Sequence, residues 1–223
     1  MSITALLSLR SVYKDMVRNE LIRHIRANCQ RRHMRIPATV LILSVMLGCA
    51  ESIAAPVPAL VPLVRSISER LDTAEQVALS KWDSGKAVHD PKREAQVLTS
   101  VAAMAPALGV GAEDATRIFE DQIEANKEIQ YALLNDWRRQ GNAPATARKS
   151  LTGVIRPILD NLQTAILQDL QAASTARNDV DCHRQLAVAV GDVAQARSLD
   201  VLHRIALDRA VAHVCLSAAP ASK

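Results

Sequence analysis

The sequence predicts an all-α fold, a single-domain helical bundle of about six helices. Three observations lead there. Only 7 glycines and 2% aromatic residues occur among 223 residues, whereas a sandwich or barrel needs turn glycines and β-branched or aromatic strands. Alanine and leucine, both strong helix formers, dominate the remainder. Beyond residue 60, apolar side chains recur three and four positions apart between Pro-, Gly- and Asp-containing breaks. At 49% hydrophobic and 22% charged, the composition is that of an ordinary globular protein with a proper core.

The first helix is expected over Leu60–Trp82, entered through Pro56, Pro58 and Pro62 and ended by Asp83-Ser84-Gly85. Asp90-Pro91 opens the second, because Asp caps a helix and Pro fits its first position. It should run to Ala105, before Pro106 and Gly109. A third spans Glu113–Arg138 and stops at Gly141. The fourth covers Ile155–Ala173, with Pro157 tolerable only in its first turn. The last two are read at Asp181–Gln195 and Ser198–Leu216.

The first helix carries an anomaly. With Arg70 at zero and ~100° per residue, Leu63, Ile67, Leu71, Ala74, Val77 and Ala78 fall in one arc, and Lys81 falls inside it. Two cations ~16 Å apart along the axis therefore point where the core residues point. Buried unpaired charge is costly, so this face needs anionic partners, either protein carboxylates or a bound anion. In the third helix Asn126 and Gln130 share a face with Phe119, Ile123, Leu133, Leu134 and Trp137, and two amides in an apolar stripe need partners. Asp90, Arg93 and Glu94 open the second helix, and Arg156 opens the fourth. Taken singly, each has an ordinary explanation as a snorkelling cation, a cap or a buried network. Together they describe an interior pocket with cations, two amides and few acids, suited to a small dianion. No close Ser/His/Asp set, Gly-rich phosphate loop or His/Cys metal spacing competes with it. His183, His203 and His213 read as surface or packing residues.

The net charge of +4 is unevenly spread. Residues 1–54 hold eight Lys/Arg against three Asp/Glu, which leaves about −1 for the rest. The basic pI therefore does not indicate nucleic-acid binding. Arg31, Arg32 and Arg35 precede an apolar run from Ala38 to Ala50, the layout of a secretory signal peptide. That run, ~13 residues, is too short to span a bilayer, so no stable membrane insertion is expected after cleavage. Ser52 and Ala54 suit a cut between Ala54 and Ala55. Leu47-Gly48-Cys49 is a competing lipoprotein-type site, with Met46 where such sites usually carry Leu. The expected organisation is an N-terminal extension and leader over 1–54 and one domain over 55–223. Residues 1–33 have no assigned role, and Met34 is an alternative start. After such a cut Cys182 and Cys215 remain, an even pair 33 residues apart in an oxidising compartment. They form either a disulfide or two buried thiols.

These spacings resemble the chorismate mutases of the AroQ class, and closely their exported gamma subclass. The resemblance rests on Ser68-Glu69-Arg70-Leu71, Lys81-Trp82, His89-Asp90-Pro91-Lys92-Arg93-Glu94, Phe119 to Asn126 with Gln130-Tyr131 beyond, Arg156-Pro157-Ile158-Leu159-Asp160, and the cysteine spacing. It covers essentially residues 60–216. It implies a type II chorismate mutase fold, a Cys182–Cys215 disulfide, a homodimer, and no cofactor or metal. The implied substrate is chorismate, rearranged to prephenate. On that resemblance Arg70 and Arg156 hold the carboxylates, while Lys81 and Gln130 donate to the ether oxygen. Asn126 and Asp90 orient the substrate, and Arg93 supports a carboxylate or the hydroxyl region, with Glu94 nearby. Gln130 stands where some relatives carry Glu, Asn126 replaces a hydroxyl residue, and Val97 replaces a Gln. The competing readings are an isochorismate pyruvate lyase on a related scaffold and a noncatalytic periplasmic helical binding protein.

Overall fold

In the computed structural model, residues 58–216 are described, and among them every regular element is helical. The predicted first helix is two helices, α1 (Leu60–Leu71) and α2 (Ala74–Ser84). Thr73 is the cause. Its hydroxyl donates to the Arg70 carbonyl at 2.8 Å and its own N–H reaches the same oxygen at 3.3 Å. A threonine that takes a backbone acceptor in this way competes with the helical ladder.

α3 (Pro91–Met104) begins as expected, since the Asp90 carboxylate accepts the Arg93 N–H at 3.1 Å. A short 3₁₀ turn, Ala105–Leu108, follows and closes at Gly109 with φ of +76°. Glycine suits this position because the backbone is left-handed; a Cβ would also lie 2.9 Å from the Gln171 amide, whose flexible side chain can give way. α4 (Ala112–Gln140) is the long central helix, ended by Gly141 in the left-handed conformation. A π turn, Leu151–Ile155, feeds α5 (Arg156–Ala172), with Pro157 in its first turn as expected. One extra helical turn, α6 (Ser174–Arg177), was not predicted.

α7 (Cys182–Ala196) agrees with the sequence, but α8 (Val201–Ala210) is much shorter than Ser198–Leu216. At its start Ser198 adopts φ of +52° and Asp200 caps the helix through the His203 N–H at 2.8 Å. At its end the chain is drawn away. Arg177 Nε donates to the Val214 carbonyl at 2.7 Å, and the Leu216 N–H reaches the Arg177 carbonyl at 3.0 Å. Cys215 is joined to Cys182 in a disulfide with Cα atoms 5.9 Å apart. Tertiary bonds thus replace the helical ones that periodicity alone would extend.

α1 packs against α5, α7 and α8, while α4 packs against α2, α3 and α8. The core between them holds Leu63, Ile67, Phe119, Ile129, Ile166, Leu167, Leu170 and Leu207, all essentially fully buried. A smaller cluster of Leu79, Val88, Leu134 and Trp137 lies where α2 meets α4, and Trp82 meets Trp137 edge to face at 6.1 Å. Two partly buried ion-paired clusters tie the C-terminal third to α4. Arg177, 3% exposed, donates through Nη2 to both carboxylate oxygens of Asp114 at 2.7 and 2.8 Å. Asp121, also 3% exposed, accepts from Arg209 and from both the backbone N–H and ring Nδ1 of His213. His213 is therefore a hydrogen-bond partner of a buried carboxylate and not merely a surface residue.

The expected leader and its expected cleavage site, with Cys29 and Cys49, lie outside the described residues. No helix among the described residues is long and apolar enough to cross a membrane. Opening the 33-residue disulfide loop by Cys182→Ala should cost roughly 3–4 kcal/mol of unfolding free energy. Denaturant titration of the variant beside the oxidised parent reads that loss directly.

Candidate active site

All eight residues singled out from the sequence line one cavity of about 180 Å³. An engineered cavity of ~150 Å³ takes up benzene, so the space suits a small organic molecule. Arg70 comes from α1, Lys81 from α2, Asp90, Arg93 and Glu94 from the start of α3, Asn126 and Gln130 from α4, and Arg156 from the start of α5. The Thr73 turn leaves Arg70 and Lys81 on the same side, so the cations meet despite the break.

Arg70 is 7% exposed, and its guanidinium lies over the Phe119 ring at 5.3 Å. Its hydrogen bond within the protein, to the Leu159 carbonyl, is long at 3.5 Å. Burial first, and then the nearby Arg93, lower the guanidinium to about 10, against the opposing effect of Asp160. It remains charged at neutral pH, and the protein disfavours that charge until an anion arrives. Among the described residues no carboxylate lies within ion-pair distance of Arg70, Lys81, Arg93 or Arg156. The cations are therefore not sealed by internal acids.

Asp90 and Glu94 form a reciprocal cap. Asp90 Oδ1 accepts the Arg93 N–H, and Glu94 Oε1 accepts the Asp90 N–H at 3.0 Å. Asp90 keeps a second oxygen for a ligand. Glu94 does not, because its Oε2 pairs with Lys127 at 3.2 Å and its Oε1 also faces His89. Burial would push the Glu94 carboxyl up, but the Asp90 N–H, Lys127 and His89 outweigh it and hold the group below the usual carboxylate range. Glu94 thus braces the α3 entrance while lining the cavity. Gln130, 5% exposed, donates through Nε2 to Asn126 Oδ1 at 2.8 Å. The second N–H on that nitrogen remains available.

A cavity walled by uncompensated cations and amides, with no nucleophile and base paired in it, holds and polarises a dianion more readily than it performs acyl or proton transfer. A model of the chorismate mutase type II family matches residues 62–131. The secreted chorismate mutase of Mycolicibacterium smegmatis is 30% identical over 156 residues, which is 70% of this chain and 86% of that protein. The chain belongs to the type II chorismate mutase family.

The secreted chorismate mutase of Mycobacterium tuberculosis is likewise 30% identical over 162 residues, covering 73% of this chain and 81% of that protein. Among solved structures, a chorismate mutase from Burkholderia phymatum aligns with a TM-score of 0.70 at 64% identity, covering 71% of this chain and 97% of its own. One from Burkholderia thailandensis aligns at 0.68 with 36% identity, covering 71% and 100%.

In this mutase five further polar residues, not singled out from the sequence, line the cavity: Thr73, Gln122, Lys127, Asp160 and Gln163. Lys127 is paired with Glu94 and with Glu124 at 2.6 Å. Gln163, 6% exposed, donates to Ser100 Oγ at 3.1 Å and contacts Met104 Sδ. A spacing signal existed for two of them. Gln122 lies four residues before Asn126, and Gln163 lies seven after Arg156, so each shares a helix face with a residue already chosen.

Proposed function

We propose that this chorismate mutase rearranges chorismate to prephenate by restraint and electrostatics alone, with Arg70, Lys81, Gln130 and Arg156 as the principal contacts. One observation carries the reading: four cations from four different helices line a single cavity, and among the described residues none has a carboxylate at ion-pair distance. The reaction is one cyclic shift of electron pairs, in which the ether C–O bond breaks while a C–C bond forms. It consumes no proton, nucleophile or cofactor. The catalyst must select the compact conformer and stabilise charge as it develops on the ether oxygen.

Arg70 and Arg156 take the two carboxylates, for which the guanidinium fork is suited. Lys81 and the free N–H of Gln130 donate to the ether oxygen. Asn126 holds the Gln130 amide in place, Asp90 accepts the ring hydroxyl, and Arg93 adds positive potential beside them. Export with removal of residues 1–54 belongs to the same proposal, supported by the leader pattern and by the secreted relatives. So does assembly as a homodimer, which rests on the resemblance.

An amide at position 130 does not titrate, so kcat/KM should stay nearly flat from pH 5 to 8. Glu94 remains ionised across that window, because its stabilising contribution is complete above the ordinary carboxylate range and is lost only as pH falls through its depressed value. Gln130→Glu should instead lose activity as pH rises, since only the protonated acid donates. Chorismate consumption by residues 55–223 and by the variant, followed by absorbance across pH, checks both. A steep wild-type decline above pH 6 would remove Gln130 from the reading.

A further inference from the structure

Gln122 is 1% exposed, lines the cavity, and has no hydrogen-bond partner at either Nε2 or Oε1. Such a group normally costs as much as a lost hydrogen bond, and native proteins rarely leave both ends of a buried amide unpaired. Neither atom has appreciable exposure, so bulk water does not satisfy them, and the cavity that the residue lines is where a partner can come from. Gln122 sits one turn from Phe119 on the same face of α4, and Arg70 lies over that ring. The Arg70 fork has five N–H donors, of which Leu159 takes one, weakly.

From this geometry we infer that Gln122 is a substrate-binding residue: its amide N–H donates to the same carboxylate that Arg70 grips, and its carbonyl accepts an N–H that Arg70 has to spare. The inference rests on the proposed reading of the cavity and extends it to a residue not assigned above. It gives the buried carboxylate a neutral donor that adds direction without adding charge. Gln130 carries the neighbouring unpaired acceptor, Oε1, so the amide face of α4 is arranged for a ligand along two turns.

The test uses residues 55–223 with two variants. Gln122→Met keeps the length and removes both polar atoms. It should raise KM about 10- to 100-fold, the loss of a hydrogen bond to a charged group, while leaving the melting temperature unchanged or higher. Gln122→Glu places a buried carboxyl beside the substrate carboxylate, so its kcat/KM should fall as pH rises and recover in acid, where the wild type is flat. In the unaltered protein, the Gln122 side-chain amide resonances should shift on titration with prephenate, a readout that does not depend on any variant folding. The inference is overturned if KM of Gln122→Met stays within twofold of wild type, if Gln122→Glu has a flat pH profile, or if the resonances do not move. Those results would leave the amide satisfied by a trapped water. Lys81→Ala, measured in parallel, separates the two levels: a crippled Lys81→Ala beside a normal Gln122→Met refutes only this inference, whereas an unaffected Lys81→Ala refutes the reading beneath it.

Discussion

Replacing Lys81 by alanine should lower kcat/KM by about 10²–10³-fold, with the loss mainly in kcat. Lys81 lies in the last turn of α2, half-buried at the cavity wall, with no carboxylate in pairing distance among the described residues. Its charge is thus available to an oxygen that becomes anionic only as the C–O bond lengthens. A donor aimed at developing charge acts on the transition state more than on bound substrate, so KM should move little. Because no protein acid depends on Lys81, its removal strands no buried counterion, and the melting temperature should stay within a few degrees. Steady-state kinetics with a thermal melt checks both halves. A kcat/KM within tenfold of wild type would exclude Lys81 from the chemistry.

Arg70→Met should be the more severe lesion for activity and the milder one for the fold. Loss of a buried, fork-shaped grip on a carboxylate costs about 3–5 kcal/mol, or 10²–10⁴-fold in kcat/KM. Met fills a similar volume over Phe119 and removes a guanidinium whose charge the protein disfavours without an anion. The variant should therefore melt at or above the wild-type temperature, and substrate or product should protect the wild type far more than the variant. A stability loss comparable to the catalytic one would show that Arg70 is primarily a packing residue.

Much of this architecture could be read from the residue order. Helix bounds at Asp90-Pro91, Gly109 and Gly141 are local chemistry, and local chemistry is what periodicity and caps report. The Arg70 and Lys81 anomaly survived the break at Thr73, because that turn remains near-helical in its backbone angles. What escaped was set by distant partners. The early end of α8 depends on Arg177, 37 residues before Val214. The occupation of Glu94 depends on Lys127, 33 residues away. Gln122 and Gln163 carried only a spacing signal, each sharing a helix face with a chosen residue, and the partners of Gln163, Ser100 and Met104, lie 63 and 59 residues away on α3. A glutamine in a helix carries no sign of what will lie opposite.

Among the described residues none beyond Gln163 lines the cavity, yet the C-terminal hairpin formed by α7, α8 and the tail grips both walls. Arg197, at the end of α7, pairs with Glu69 and Asp72 beside the α1–α2 junction. From α8 and the tail, Arg209 and His213 hold Asp121, the immediate neighbour of Gln122. A helix turned by a fraction of one residue would swing its amides away from the ligand. The hairpin therefore works as a keystone: it fixes the rotational setting of two helices whose inner faces it never touches. Shortening the chain there should detune the enzyme before it unfolds it.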